Sequence, residues 1–210
     1  MSHFQTVRIS QGNSPGRTWI SHRFVTVYSV SQGIINLSLS GPEDGGLVVY
    51  PGSHLLTEEF FKTQTDNKAT WEKTDLYLFT DEQLSWFTNQ GIKAQKICAQ
   101  PGDLLIWDSR TIHWGAEPTE KSKTIRTVIY TSYAPASLAT AETMEMKAKV
   151  FKAWEGTSHW PHDNIVLRKT QSLLDDGTPD PKSREEPLEK PELTDKLLKL
   201  AGIKPYVTKA

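Results

Sequence analysis

Two residues stand out for what their types and spacing could do. His113 follows an apolar run, Leu104-Leu105-Ile106-Trp107-Asp108, across the short turn Ser109–Ile112. Arg126 comes thirteen residues later (113 to 126), at the head of the clearest β-type run in the chain, Ile125–Tyr133. In an antiparallel sheet a connection of that length brings two strand heads together, so an imidazole and a guanidinium would open into one mouth. A neutral imidazole is a good Fe(II) ligand, and two histidines plus one carboxylate form the facial site of non-haem iron oxygenases. A guanidinium is always charged and grips a carboxylate through paired hydrogen bonds. Iron on one side and arginine on the other would suit a dicarboxylic 2-oxo acid. Spacing alone is a weak signal, because a histidine at a strand start is more often structural or solvent-facing.

The elements that must position these two residues are mainly strands. Phe24–Val30, Gly33–Leu39 and Leu47–Tyr50 are β-branched or apolar runs, the last closed by the turn Pro51-Gly52-Ser53-His54. The strand pattern resumes at Lys93–Cys98, Leu104–Trp107, His113–Ala116 and Ile125–Tyr133. Between them, residues 55–92 change character and predict a helical insertion. Thr80-Asp81-Glu82-Gln83 reads as an N-cap with an acidic first turn, and Gly91 ends that helix. Leu104–Trp107 has the composition of a buried strand. After Pro135 the pattern is helical over Ala141–Trp154, and a short helix is expected at Leu193–Ala201. Short strands separated by turns, with one helical insertion and helical ends, predict an antiparallel jelly roll, a double-stranded β-helix. The expected organisation is an irregular segment at 1–22, a jelly-roll domain at 23–174, and an exposed tail with a terminal helix at 175–210.

Bulk properties narrow the function classes. The 210 residues carry 24 basic and 25 acidic side chains, a net charge of −1, which argues against a nucleic-acid or anionic-membrane surface. Cys98 is the single cysteine, so an intrachain disulfide or a multi-cysteine zinc site is excluded, as expected of a reducing, intracellular and cytoplasmic setting. Met1–Ser10 lacks an apolar core of the secretory kind, and no window approaches the ~18 apolar residues of a membrane span. The expected partner is a small-molecule substrate.

Three ordered segments carry a family resemblance. Gly45-Gly46-Leu47-Val48-Val49-Tyr50-Pro51-Gly52-Ser53-His54 resembles the glycine-rich strand and Pro-Gly-Ser-His turn of the phytanoyl-CoA dioxygenase family. Gly102-Asp103, followed by Asp108-Ser109-Arg110 and His113, resembles that family's segment delivering the last metal histidine. Ile125–Tyr130 resembles its strand with the 2-oxoglutarate arginine. Gln32–Leu37 and Thr157–His162 are similar to a fungal-type subset, so the likeness runs from about Gln32 to His162. The resemblance implies a double-stranded β-helix, Fe(II), and 2-oxoglutarate oxidised to succinate and CO₂ while a substrate is hydroxylated. It implies His113 as a metal ligand and Arg126 as the residue holding the far carboxylate of 2-oxoglutarate. Asn36 and Ser38 alternate on one strand, and both are carried as candidate contacts to 2-oxoglutarate or as ordinary satisfied polar residues.

One departure qualifies the resemblance. The family places a His-x-Asp pair roughly fifteen residues before the segment matching Gln32, where this chain reads Gly16-Arg17-Thr18-Trp19-Ile20-Ser21-His22-Arg23-Phe24. No Asp or Glu precedes Glu43. His22 is the candidate second ligand. The alternative reading is a non-catalytic relative that keeps the fold and Arg126 without holding iron. For other polar residues the plain readings are structural. His54 is a turn residue, Asp108 orients its loop, Arg110 partners nearby acids, and His159 and His162 pack in a lid or on the surface. Trp107 and Trp114 are core, and Cys98 is a small buried side chain.

Overall fold

The computed structural model describes residues 19–20, 30–65, 77–163, 165–168, 172–174 and 176–206. They fall into two compact units. One is Ser10–Tyr130, and the other contains Thr131–Ala210.

The first unit is built on two sheets, the last strand of which, Val128–Tyr133, runs past its boundary at Tyr130. One, in the order β4-β1-β7-β3-β5, comprises β1 (Trp19–Ile20), β3 (Gly46–Val49), β4 (Tyr77–Leu78), β5 (Gln95–Lys96) and β7 (His113–Ala116). The other, in the order β6-β2-β8, comprises β2 (Ser31–Asn36), β6 (Leu104–Asp108) and β8 (Val128–Tyr133). The chain crosses between the sheets from β1 to β2, β2 to β3, β5 to β6, β6 to β7 and β7 to β8. That alternation makes it a double-stranded β-helix. Every strand pair with a recorded register is antiparallel, including β2 with β6 (Gln32 opposite Trp107) and β3 with β7 (Val49 opposite His113).

Period-two alternation decides what lies between the sheets. Ile34, Leu47 and Val49 form a buried cluster joined by Ile97, Leu105, Trp107 and Val128, with members from both sheets. Their neighbours in sequence face outward. Leu104 and Ile106 are therefore 56 % and 58 % exposed, although the run 104–107 has the composition of a fully buried strand. Cys98 corrects a second expectation: it is exposed, one residue beyond inward-facing Ile97.

The outer face of the five-stranded sheet is covered by the helical insertion, α1 (Thr57–Thr63) and α2 (Asp81–Asn89). Tyr50, Phe60, Phe87 and Ile112 form its buried centre, with Phe61, Tyr77, Phe79, Trp86 and Trp114 packed against them. Ring pairs such as Phe60–Phe87 at 4.9 Å and Tyr77–Phe79 at 4.9 Å give this layer specific geometry beyond its buried area. Thr80 caps α2 as expected. Its hydroxyl accepts from Gln83 N–H at 3.2 Å, and the Gln83 side chain accepts from Thr80 N–H at 3.0 Å.

In the second unit, Thr140 caps α3 (Ala141–Lys152) and Thr194 caps α4 (Asp195–Leu200), each accepting at 3.2 Å. A short ribbon pairs β9 (Gly156–Thr157) with β10 (Leu167–Arg168). Described residues from 176 to 192 are almost all exposed. Among the described residues no helix is long and apolar enough to cross a membrane.

Candidate functional site

His113 opens β7 with Val49 opposite it on one side and Trp19 on the other. Val49 faces the space between the sheets, so His113 faces it too. The ring is buried, and its Nδ1 lies 2.7 Å from the Thr111 carbonyl. A carbonyl only accepts, so Nδ1 carries the proton and Nε2 keeps its lone pair. Burial pushes the imidazole down to about 4, with the Thr111 bond opposing, so the neutral form holds at physiological pH. A neutral ring with one nitrogen anchored and the other bare is what a metal ligand requires. The Trp107 ring lies 5.2 Å away, and its Nε1 donates to Gln32 Oε1 at 3.0 Å.

The turn that delivers His113 is held from two directions. Asp108 accepts from Arg110 through both carboxylate oxygens, at 3.0 and 2.6 Å, and from the Arg110 backbone N–H at 2.9 Å. Burial alone would raise Asp108, but the Arg110 bonds and charge hold it below the usual carboxylate value. From the other side comes Ser53 of the Pro-Gly-Ser-His turn, which is fully buried. Ile112 N–H donates to Ser53 Oγ at 2.9 Å, and Tyr50 N–H donates to the Ile112 carbonyl at 2.9 Å. Gly52 enters this turn at φ 88°, a left-handed conformation that suits glycine. Ser53 is a positioning residue that sequence reasoning missed. Its partner Ile112 lies 59 residues away, a pairing that the Pro-Gly-Ser-His motif does not itself mark.

Arg126 precedes β8 by two residues. Its Nη1 donates to the Tyr130 hydroxyl at 3.3 Å. Its Nε is buried with no hydrogen-bond partner, and no carboxylate pairs with it, among the described residues. Burial, then the charge of Arg126, lowers Lys96, so the two cations feel one another, with Cys98 and Asp44 opposing. The backbone beside Arg126 is fixed by Leu37 N–H donating to the Thr127 carbonyl at 3.0 Å and Thr127 N–H donating to Ser38 Oγ at 2.9 Å. Regular strand pairing in β8 therefore begins at Val128, later than the expected start at Ile125.

Asn36 is buried, and its Nδ2 donates to the carbonyls of Ser38, Ala99 (3.3 Å) and Gln100 (3.2 Å). In this structure Asn36 ties the Gln100–Asp103 turn to the end of β2, and Ser38 steadies the chain next to Arg126. His22 lies outside the described residues, as do most of the expected strand Phe24–Val30 and most of the region where the family places a His-x-Asp pair.

Residues 26–127 match the family described as Phytanoyl-CoA dioxygenase (PhyH). Over this stretch, just under half of the chain, the sequence is similar to that family. A curated relative, Ava biosynthesis cluster protein O of Aspergillus versicolor, is 32 % identical over 138 residues, which is 64 % of this chain and 44 % of that protein. A solved protein from Salmonella typhimurium LT2 shares the fold with a TM-score of 0.51 at 18 % identity, over 88 % of this chain and 40 % of the other. EctD from S. alaskensis, solved with 2-oxoglutarate and 5-hydroxyectoine, overlaps 58 % of this chain and 40 % of its own at 18 % identity and a TM-score of 0.38. That overlap is too loose to inform the chemistry of this chain. The chain spans less than half the length of the relatives it matches.

The likeness to the phytanoyl-CoA dioxygenase family implies iron and 2-oxoglutarate, and the two fit the described residues differently. A carboxylate fits Arg126, whose buried Nε lacks a partner among the described residues. Iron does not fit the described residues alone. His113 is one donor of the right kind, but no group of three His, Cys, Asp or Glu side chains among them could hold a metal.

Proposed function

We propose that this chain is an oxygenase-type domain that binds 2-oxoglutarate and acts on a small-molecule or acyl substrate, with Arg126 as its carboxylate anchor. The observation that carries the reading is the guanidinium of Arg126, with one buried donor unmet among the described residues and a second cation, Lys96, within its field. A buried unmet donor carries a desolvation cost of roughly 1–3 kcal/mol, which a carboxylate would remove. His113 supports the same reading: it is neutral, has its proton fixed on Nδ1, and faces the inter-sheet space. In the family, iron and 2-oxoglutarate would together activate O₂, the oxidant, with one oxygen atom going to the substrate and the other to the succinate formed as CO₂ is lost. The part assigned to this chain's own side chains is narrower. Arg126 binds and orients the 2-oxo acid, Trp107 and Gln32 support the imidazole, and the aromatic insertion backs the sheet that carries it.

A second reading is favoured by a specific observation: no acidic residue precedes Glu43, and no three-donor cluster occurs among the described residues. The chain would then bind a small carboxylic acid without holding iron.

One experiment separates the two. Purified protein is titrated anaerobically with Fe(II) and 2-oxoglutarate while the visible charge-transfer band is followed, with calorimetry of 2-oxoglutarate alone in parallel. The oxygenase reading expects a saturable band, lost in His113→Ala and weakened in Arg126→Ala. Heat of binding that depends on Arg126, without any band, would support the second reading. Folded protein giving neither signal would defeat both.

A further inference from the structure

The loop between β2 and β3 contains a carboxylate that the site described so far does not use. Asp44 is only 7 % exposed, and its bonds run across the chain. Its Oδ1 accepts from Ser122 Oγ at 2.5 Å, and its Oδ2 accepts from Gly41 N–H at 2.8 Å. Ser122 Oγ in turn accepts from Thr124 N–H at 3.3 Å. Beside it, Thr119 N–H donates to the Glu43 carbonyl at 2.8 Å, and Thr119 Oγ1 donates to Glu43 Oε2 at 2.6 Å. The approach is close. A Cβ on Gly45 would stand 3.3 Å from both the Ala116 carbonyl oxygen and Pro118 Cδ, which helps explain the glycine there.

Apart from Gly41 in Asp44's own loop and Ala116 at the end of β7, these partners lie on one segment, the connection from β7 to β8. Its far end is Arg126. That end is clasped after Arg126 by Ser38 and Leu37 on Thr127, and before it by Asp44 through Ser122 and Thr124. Lys96 joins the same group, its Nζ donating to the Asp44 carbonyl at 2.6 Å. We infer that Asp44 is a positioning residue for Arg126: it clasps the β7–β8 connection and so sets the guanidinium to receive the carboxylate of the 2-oxo acid. The inference rests on the reading of Arg126 as the carboxylate anchor. It adds a second carboxylate with no direct part in metal or substrate binding, whose loss should weaken 2-oxo acid binding selectively.

The test is a double-mutant cycle on the full chain, read by calorimetry with 2-oxoglutarate under anaerobic conditions. Each variant is checked for folding by circular dichroism. Asp44→Asn is expected to weaken binding about ten-fold, or about 1.4 kcal/mol. Ser122→Ala, a milder change that keeps the carboxylate, is expected to weaken it in the same direction. Placed on Arg126→Ala, either substitution should cost nothing further, because the clasp would have no guanidinium left to set. An Asp44→Asn effect as large in the Arg126→Ala background as in wild type would show general damage and overturn the inference. So would unchanged affinity in both Asp44→Asn and Ser122→Ala while Arg126→Ala still weakens binding. If Arg126→Ala itself leaves binding intact, the reading of Arg126 fails and the inference falls with it, a result distinguishable from failure of the clasp alone.

Discussion

A histidine offers a lone pair to a metal when one ring nitrogen is pinned as a donor and the other left bare. Thr111 does that pinning for His113, and burial keeps the ring neutral. The Asp108–Arg110 pair beside it has side chains 15 % and 14 % exposed, so removing one partner leaves a largely buried charge. Arg110→Met should therefore cost about 3 kcal/mol, visible as a lower midpoint in urea unfolding. The pair also sets a pH dependence. Asp108 is depressed in the folded protein below its ordinary 3.8, so its stabilising contribution is complete above that value and fades as the pH falls below it. Melting temperatures of wild type should then drop more steeply below pH 4 than those of Asp108→Asn, while the two curves run parallel from pH 5 to 7. His113 and Arg126 were legible in the sequence as candidates, because His113 closes one motif and Arg126 stands at the head of another. Ser53 and Asp44 were not. Their partners are 59 and 78 residues away, and nothing local in the chain marks a hydroxyl or carboxylate that bonds so far along it.

Strand alternation is strong enough to place the core but does not tell which face of a short apolar run is covered. In β6 all four residues from Leu104 to Trp107 are apolar, and only Leu105 and Trp107 join the inter-sheet cluster. The helical insertion was easier to anticipate, because Thr80 and Gln83 form a capping box that is written in local sequence. Its weight in the fold comes from the aromatic cluster that it lays on the sheet behind Ile112 and Trp114. Phe60→Ala, at a fully buried position, should destabilise by about 3–4 kcal/mol. At the turn before β7, Ser53→Ala leaves the Ile112 N–H buried and unbonded. It should cost about 1–3 kcal/mol in chemical denaturation and loosen the loop that delivers His113. Faster hydrogen exchange at Ile112 than at neighbouring β7 amides would confirm that the second effect is local.

Across the whole molecule, the mainly antiparallel β architecture with a helical insertion is what the short strands and turn clusters predicted; the order in which the chain alternates between the sheets was not legible in them. The near-neutral charge fits a protein that recognises its ligand through a few placed groups rather than through a broad field. The curated relative is matched over 44 % of its length, so the account bears on this chain and not on that protein as a whole. The central claim is that these two residues form one 2-oxo-acid site, and its most direct test is the anaerobic titration with Fe(II) and 2-oxoglutarate. The account predicts a saturable visible band that vanishes in His113→Ala and, in Arg126→Ala, needs about 100-fold more 2-oxoglutarate, as expected for losing about 3 kcal/mol of charged hydrogen bonding. A band of unchanged strength and midpoint in Arg126→Ala, or no band and no heat of 2-oxoglutarate binding from folded wild-type protein, would contradict it.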